Sequence, residues 1–349
     1  MRLKLLTAIL LFVPGMLFSQ TTSVADWFKH PSLAAAAQFI QGYNFQEQKF
    51  TPRPLAMLKT SFGDTNKGIS ADFILDVATG RFLTVAGQWQ PVPQIGVRVG
   101  LQKMLFLYDN TFAPYIYGMM GYSQATSFLA GYSSDLTHIN SRSRDVGISL
   151  NGAFFPQEGG YYALSYAVGV FNGNGNNFID NNRAKDIHAR LVFQPLRQLK
   201  ITLGAMNGFY KVPEGEPRPN GGHHHGDEDL SCRQRVSTGV WFQTRTLFAR
   251  AENVYGVTDG MHSNGFMAIV GGNIAPRLQL AARVDNFKRD LADPLSASTK
   301  LDICFTHHLT GDGTLYYAIQ YGHTFYSDPA RPGTDLIQIC LNIAFLRNL

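Results

Sequence analysis

The sequence predicts an all-β protein, a transmembrane antiparallel β-barrel of sixteen strands with a long loop folded into its lumen. Three observations carry that reading. Apolar and polar residues alternate in segments that restart about every twenty residues, almost to the last residue. An N-terminal stretch reads as an export signal. Short and long connections take turns along the chain, as they do when one end of a barrel faces the periplasm and the other the outside of the cell.

The alternation is clearest in three places. Arg277, Gln279, Ala281, Arg283 and Asp285 share one parity, and Leu278, Leu280, Ala282 and Val284 the other. In Lys185 to Phe193, Asp186, His188 and Arg190 oppose Ile187, Ala189, Leu191 and Phe193. Near the end, Gln338, Cys340 and Asn342 oppose Ile337, Ile339, Leu341 and Ile343. Successive side chains of a strand point to opposite faces, so each segment has one apolar face. A soluble sandwich turns that face inward; a membrane barrel turns it to lipid and keeps the polar face for a watery lumen.

At the start, Arg2 and Lys4 precede Leu5 to Phe18, apolar apart from Thr7, Pro14 and Gly15, and Ser19 then precedes Gln20. A basic start, a short apolar run and a small residue describe a secretory signal peptide over residues 1–19. The barrel is expected over residues 20–349. No later segment approaches eighteen consecutive apolar residues, which excludes a helical membrane protein. An exported chain of this kind enters a membrane only as a closed barrel.

The expected strands are, in order, Ala36 to Phe45, Leu55 to Phe62, Ile69 to Val77, Phe82 to Gln90 and Gln94 to Met104. After a gap come Asp145 to Phe154, Tyr161 to Phe171, Lys185 to Phe193, Leu199 to Phe209, Gln234 to Gln243 and Thr246 to Tyr255. Gly265 to Asn273, Arg277 to Phe287, Thr299 to His307, Thr314 to Phe325 and Leu336 to Phe345 complete the set. Short connections are expected at Pro156 to Gly160, Pro195 to Gln198, Thr244 to Arg245, Ile274 to Pro276 and Thr310 to Gly313. Long ones are expected at Asn172 to Ala184, Lys211 to Arg233, Gly256 to Asn264, Lys288 to Ser298 and Tyr326 to Thr334. Phe106 to Arg144 fits no strand pair and carries Tyr108, Tyr115, Tyr117, Tyr122 and Tyr132, so it is read as the loop folded into the lumen.

Composition agrees. The chain is rich in Gly, Tyr and Phe, only 16% of its residues are charged, and its mean hydropathy is −0.09. Three cysteines, Cys232, Cys304 and Cys340, form no disulfide framework. Aromatic residues gather near predicted strand ends: Tyr161, Tyr162, Phe171, Phe193, Phe209, Trp241, Phe242, Tyr255, Phe287, Tyr326 and Phe345. That placement is expected of aromatic girdles at the membrane interfaces.

Parity puts Arg98, Arg190, Lys200, Arg235, Arg250, Arg277, Arg283 and Lys300 on the lumenal face as candidate pore-lining residues. Asp145, Asp186, Glu252, Asp285 and Asp302 share that face, with Asp186–Arg190, Arg250–Glu252 and Arg283–Asp285 as expected pairs. Anion pores use rings of Arg and Lys. Paired charges cancel beyond a Debye length of roughly 8 Å, so a small positive excess predicts only a mild anion preference.

Other chemistries find little support. His223, His224 and His225, beside Asp227, Glu228 and Asp229, have the donor types of a transition-metal site. Gly221, Gly222 and Gly226 give that loop too much freedom for more than adventitious binding, and no cofactor is expected. Ser149, Ser165 and His188 share lumenal parity, but a Ser–His nucleophile needs contact at about 3 Å, and no Gly-x-Ser-x-Gly elbow is present. An enzyme is not expected. The basic residues are dispersed, which argues against nucleic acid.

Gly169 to Asp186, GVFNGNGNNFIDNNRAKD, resembles the strand-end, loop and strand-start signature of the phosphate-selective porin O and P family. In that family a Phe-Asn-Gly end is followed by a Lys-Asp opening and a lumenal Arg, here Arg190. Arg98 to Lys103 (RVGLQK) resembles the family's Arg-x-Gly-Gln-x-Lys strand, with Leu101 splitting the pattern. Arg144 to Gly147 is similar to its return strand after the long central loop. The resemblance covers Gln94 to Gly204; it is poor before Ala71, and the terminal aromatic Phe345 is displaced from the end. It implies a sixteen-stranded porin in the outer membrane of a Bacteroidota-type Gram-negative bacterium. It further implies a homotrimer with the long third loop narrowing the pore. Outer-membrane lipid and small hydrophilic or anionic solutes, phosphate included, would be its partners. Two other readings stay open: a closed structural or surface-interaction barrel, and a soluble secreted β-rich binding protein.

Overall fold

The structure, a computed structural model, describes residues 32–132, 135–139, 141–176, 179–214, 216 and 230–348. The proposed signal peptide, residues 1–19, and His223 to His225 lie outside the described residues.

Sixteen antiparallel strands form one closed barrel. They are β1 (Ser32–Asn44), β2 (Lys49–Asp64), β3 (Ile69–Asp76), β4 (Arg81–Val92), β5 (Ile95–Lys103), β6 (Arg144–Gln157), β7 (Tyr161–Phe171) and β8 (Asp186–Leu196). The second half holds β9 (Leu199–Lys211), β10 (Leu230–Gln243), β11 (Leu247–Thr258), β12 (Met261–Ala275), β13 (Leu278–Lys288), β14 (Ala297–His308), β15 (Leu315–Tyr326) and β16 (Thr334–Asn348). Each strand pairs with its sequence neighbours, and β1 closes on β16 with Gln38 opposite Asn342. Closure leaves no unpaired edge, the condition for spanning a bilayer with strands.

Every expected strand is present, and the differences lie at ends. β2 begins at Lys49 rather than Leu55 and runs through Pro52 and Pro54. Both prolines lie where β2 pairs with β1 alone, since its pairing with β3 starts at Met57. A strand edge tolerates the missing N–H. The expected long loop at Gly256 to Asn264 is absent. There β11 and β12 zip up to a two-residue turn, Asp259-Gly260, with φ of 51° and 82°. Two positive φ values define the hairpin turn whose twist matches its strands, and Asp-Gly is a preferred sequence for it.

Burial is inverted relative to a soluble protein. Leu203, Val270, Ile303 and Ile339 are exposed, while their lumenal neighbours Thr202, Arg235, Glu252, Arg283, Asp285 and Asp302 are buried. Large apolar side chains outside and charges inside leave the soluble sandwich without a core, and fit a barrel wall in lipid. The aromatic residues divide between the faces. Phe193, Phe242, Tyr255 and Phe345 point outward, but Phe171, Trp241 and Phe287 are buried inside. Parity near a strand end decides which face a ring takes, and proximity to the end alone had placed all three in the girdle.

Candidate functional site

Between β5 and β6, the described residues of the chain from 104 to 143 pack against side chains of the barrel's inward parity. The segment contains short 3₁₀ turns at Asp109–Thr111 and Pro114–Tyr117 and one helix, α1 (Gln124–Leu129), capped by the Ser123 side chain accepting from Thr126 N. Its hydrogen bonds reach inward-facing side chains all round the far wall. Glu252 on β11 accepts from Tyr108 N at 2.8 Å and from Asp109 N at 2.7 Å. Ser237 donates to Phe106 O at 2.5 Å, Asp285 accepts from Gln124 N at 2.8 Å, and Gln320 accepts from Met120 N at 2.9 Å. Apolar packing adds to these bonds. Trp241 meets Tyr108, Phe112 and Tyr117 with ring centroids 4.6 to 5.4 Å apart, and Phe287 stacks on Phe128 at 4.6 Å. Rings at these separations attract beyond their area burial.

Five of the eight basic residues expected at the pore lining contact this segment. Arg190 Nη1 donates to Thr111 Oγ1 at 2.8 Å, and Lys200 Nζ to the Tyr108 hydroxyl at 3.2 Å. Arg235 donates to Leu129 O at 3.3 Å, and Arg283 to Gly121 O at 2.7 Å. Arg250 pairs with Asp109 at 3.2 Å and lies over the Tyr117 and Trp241 rings. Arg98 pairs with Asp72 at 3.1 Å, and Lys300 with Asp302 at 3.0 Å. Arg277 is the exception: it sits in the turn between β12 and β13 with φ 67°, exposed, donating to Leu309 O in the adjoining turn. The period-two count ran one residue past the strand's start at Leu278.

The expected same-strand pairs also change partners. Arg283 binds Asp302, its direct neighbour across β13 and β14, at 2.6 Å, and Asp285 instead accepts from Gln124. Residues two apart on one strand are about 6.6 Å apart, whereas directly opposed Cβ atoms are about 5 Å apart, so the cross-strand partner wins. Asp186 turns from Arg190 to Arg233, at 2.6 Å, by reaching over Gly208, which lies between them in register. A Cβ built on Gly208 would overlap the Asp186 carboxylate and stand 2.9 Å from its Cβ, so a glycine is needed there for space. Glu252, free of Arg250, holds the two amides of the inner segment.

Ser149 donates to Gln102 at 2.9 Å, and His188 Nδ1 accepts weakly from Leu105 N at 3.5 Å while its ring stacks on Phe171. Among the described residues no Ser–His hydrogen bond forms. Cys232, Cys304 and Cys340 are free thiols.

Between the inner segment and the wall of β1–β4 and β14–β16 lies a cavity of about 670 Å³. None of the eight expected residues lines it; Arg190 borders a second cavity of about 250 Å³ near Gln90 and Asn151. The larger space takes its charge from Arg53, Lys59, Lys103, Arg142 and Arg144, against the single carboxylate of Asp76. Arg142 pairs with Asp76 at 2.5 Å. Lys103 donates to the carbonyls of Asn110 and Thr111 at 2.7 and 3.1 Å. Arg53 lies before the expected start of β2 at Leu55, whereas Lys59 fell inside the expected strand and parity alone would have placed it on the lumenal face. Lys103 and Arg144 are strand-end residues, and Arg142 is in the loop, where alternation carries no information.

No protein-family model matches the chain, and no curated protein matches it. Solved structures do. The anion-selective porin from Comamonas acidovorans is 12% identical with a TM-score of 0.66, covering 90% of this chain and 99% of its own. OmpF of Salmonella typhi, in a complex with daunomycin, is 12% identical with a TM-score of 0.65 over 93% of this chain and 99% of its own. OmpT, an outer membrane protein of Vibrio cholerae in a trimer form, is 8% identical with a TM-score of 0.64 over 90% of this chain and 99% of its own. At these identities the likeness shows the fold, that of porin-type barrels.

Proposed function

We propose that the protein is an outer-membrane diffusion porin for small hydrophilic solutes, with a preference for anions. The observation that carries the reading is the 670 Å³ cavity beside the inner segment, where five cations face one carboxylate. Clustered Arg and Lys on a narrow wall lower the barrier for anions and raise it for cations. The segment from 104 to 143 acts as the constriction, held in place by Glu252, Asp285, Arg283 and Gln320. The cations predicted as pore lining then serve mainly to fasten that constriction. Support comes from the neighbouring porin folds, one of them named anion-selective, and from the resemblance of Gly169 to Asp186 to the phosphate-selective porin O and P family. A homotrimer, phosphate among the solutes, and export by residues 1–19 belong to the same reading.

A closed barrel is the second reading, favoured by the apolar fill around Tyr108, Tyr117, Met119, Met120 and Trp241. Single-channel recording of the refolded protein in a planar bilayer under a potassium chloride gradient separates the two. The porin reading expects stepwise openings and a zero-current potential leaning to chloride; a folded but silent barrel refutes it.

A further inference from the structure

The cavity wall is apolar where a lumen for inorganic ions has no use for it. On β2 the inward parity reads Arg53, Leu55, Met57, Lys59, so two cations bracket two large apolar side chains along the barrel axis. The facing register on β1 continues the same surface, with Ile40 opposite Arg53, Ala36 opposite Met57 and Ala34 opposite Lys59, interrupted by Gln38 opposite Leu55, whose amide donates to the Tyr316 hydroxyl. Met119 and Met120 of the inner segment and Cys340 of β16 extend it around the cavity. Water-filled barrels ordinarily line the lumen with polar residues.

The charge beside this stripe is not used up. Lys103 and Arg144 stand directly opposite each other on β5 and β6. Neither has a carboxylate within ion-pair distance among the described residues. Arg144 is only 7% exposed, and its Nε has no hydrogen-bond partner among the described residues. A buried guanidinium N–H without an acceptor is costly. Arg144 lines the cavity without a carboxylate partner among the described residues, so an anionic oxygen entering there meets an unpaired guanidinium, and Arg and carboxylate planes match in geometry.

We infer that the passage takes small amphipathic organic anions, carboxylates carrying an apolar tail, in preference to inorganic phosphate. The carboxylate passes among Arg144, Lys103 and Arg53 while the tail slides along Leu55, Met57 and the β1 alanines to Lys59. Phosphate gains the charges but wets the apolar stripe, so it is the poorer ligand. A cavity of this volume holds a molecule of that class. The inference rests on the porin reading and adds the solute class to it.

The test uses the mature protein reconstituted in a planar bilayer, with acetate, butyrate, hexanoate or inorganic phosphate added to potassium chloride. Each methylene taken fully out of water is worth about fourfold in an equilibrium constant, and a half-open passage collects part of it. Hexanoate is therefore expected to half-block the chloride current at about one-tenth the concentration of acetate, and below that of phosphate. Leu55→Asn with Met57→Gln is expected to flatten the chain-length series, and Arg144→Gln to weaken all three carboxylates alike. An anion-leaning channel in which phosphate blocks best, or acetate and hexanoate block equally, overturns this inference and leaves the porin reading standing. A folded barrel that stays silent, or one that favours cations, overturns both.

Discussion

Gly208 is the residue whose replacement most directly tests the lumenal charge network. Asp186 and Arg233 are both buried, and they meet only because the residue between them on β9 has no side chain. Gly208→Ala puts a methyl group where the Asp186 carboxylate lies. Asp186 must then abandon Arg233 Nε and Nη2, at 2.9 and 2.6 Å, and also Phe209 N at 3.0 Å. Breaking a buried ion pair costs about 3–5 kcal/mol, because each charge is left in a poor solvent. Removing a glycine returns about 0.4–1 kcal/mol by restricting the unfolded chain. The expected net loss is therefore about 3 kcal/mol, roughly 150-fold in the unfolding equilibrium. Urea unfolding in lipid vesicles, followed by the fluorescence of lumenal Trp241, measures it. Gly87→Ala is the control, since nothing lies within 4 Å of a Cβ built there. In a background already carrying Asp186→Ala and Arg233→Met, adding Gly208→Ala should cost little more. A Gly208→Ala barrel as stable as the control, or a cost that persists unchanged in that background, refutes the account.

Three further outcomes are expected. Glu252→Ala removes the acceptor of two amide hydrogen bonds, worth about 3 kcal/mol of anchoring, so single-channel conductance should rise with added gating noise; a conductance identical to the parent's would show that the inner segment is held elsewhere. Leu203→Arg places a cation on the lipid face and should cost about 2–4 kcal/mol in vesicles; an unchanged unfolding midpoint would mean that this face does not meet lipid. Asp312, in the turn between β14 and β15, has its carboxyl lowered to about 2 by hydrogen bonds from Thr310 and from the Thr314 amide and hydroxyl. A depressed carboxylate stabilises above its unfolded value of 3.8, and that contribution is lost as pH falls through about 2. Exchange of the Thr314 amide should therefore quicken only at the acid end of that range.

The fold was legible because a barrel wall is a period-two object. Lipid on one face and water on the other impose the same pattern on every strand, and all sixteen were visible from it. Turn chemistry was the part passed over: Asp259-Gly260 sits inside what looked like a long loop, yet that dipeptide marks a tight hairpin on its own. The candidate site was far less legible, for a physical reason. Parity reports which face a side chain takes and nothing about what fills the space it faces. Arg190, Lys200, Arg235, Arg250 and Arg283 do face inward, but the chain from 104 to 143 lies against them, so their partners are Thr111, Tyr108, Leu129, Asp109 and Gly121 rather than solute.

On the porin reading, that segment also decides where the free passage lies. Most of its polar partners fall on β8 to β15, the charged side of the barrel, with Arg53, Asp76 and Lys103 of β2, β3 and β5 as further partners, while β1, β2 and β16 otherwise offer alanines, Leu55, Met57 and Cys340. A loop that spends its hydrogen-bonding groups on the charged wall leaves the apolar wall uncovered. The open space is therefore pushed to the side with the fewest charges, and the cations bordering it come from the interior of β2 (Arg53 and Lys59), from strand ends (Lys103 and Arg144) and from the loop itself (Arg142). On that reading, charge count over the whole lumen is a poor guide to selectivity. The five cations against one carboxylate beside the open space are the count that matters, and Arg53, Lys59, Lys103 and Arg144 are the positions at which neutral substitution should move the zero-current potential.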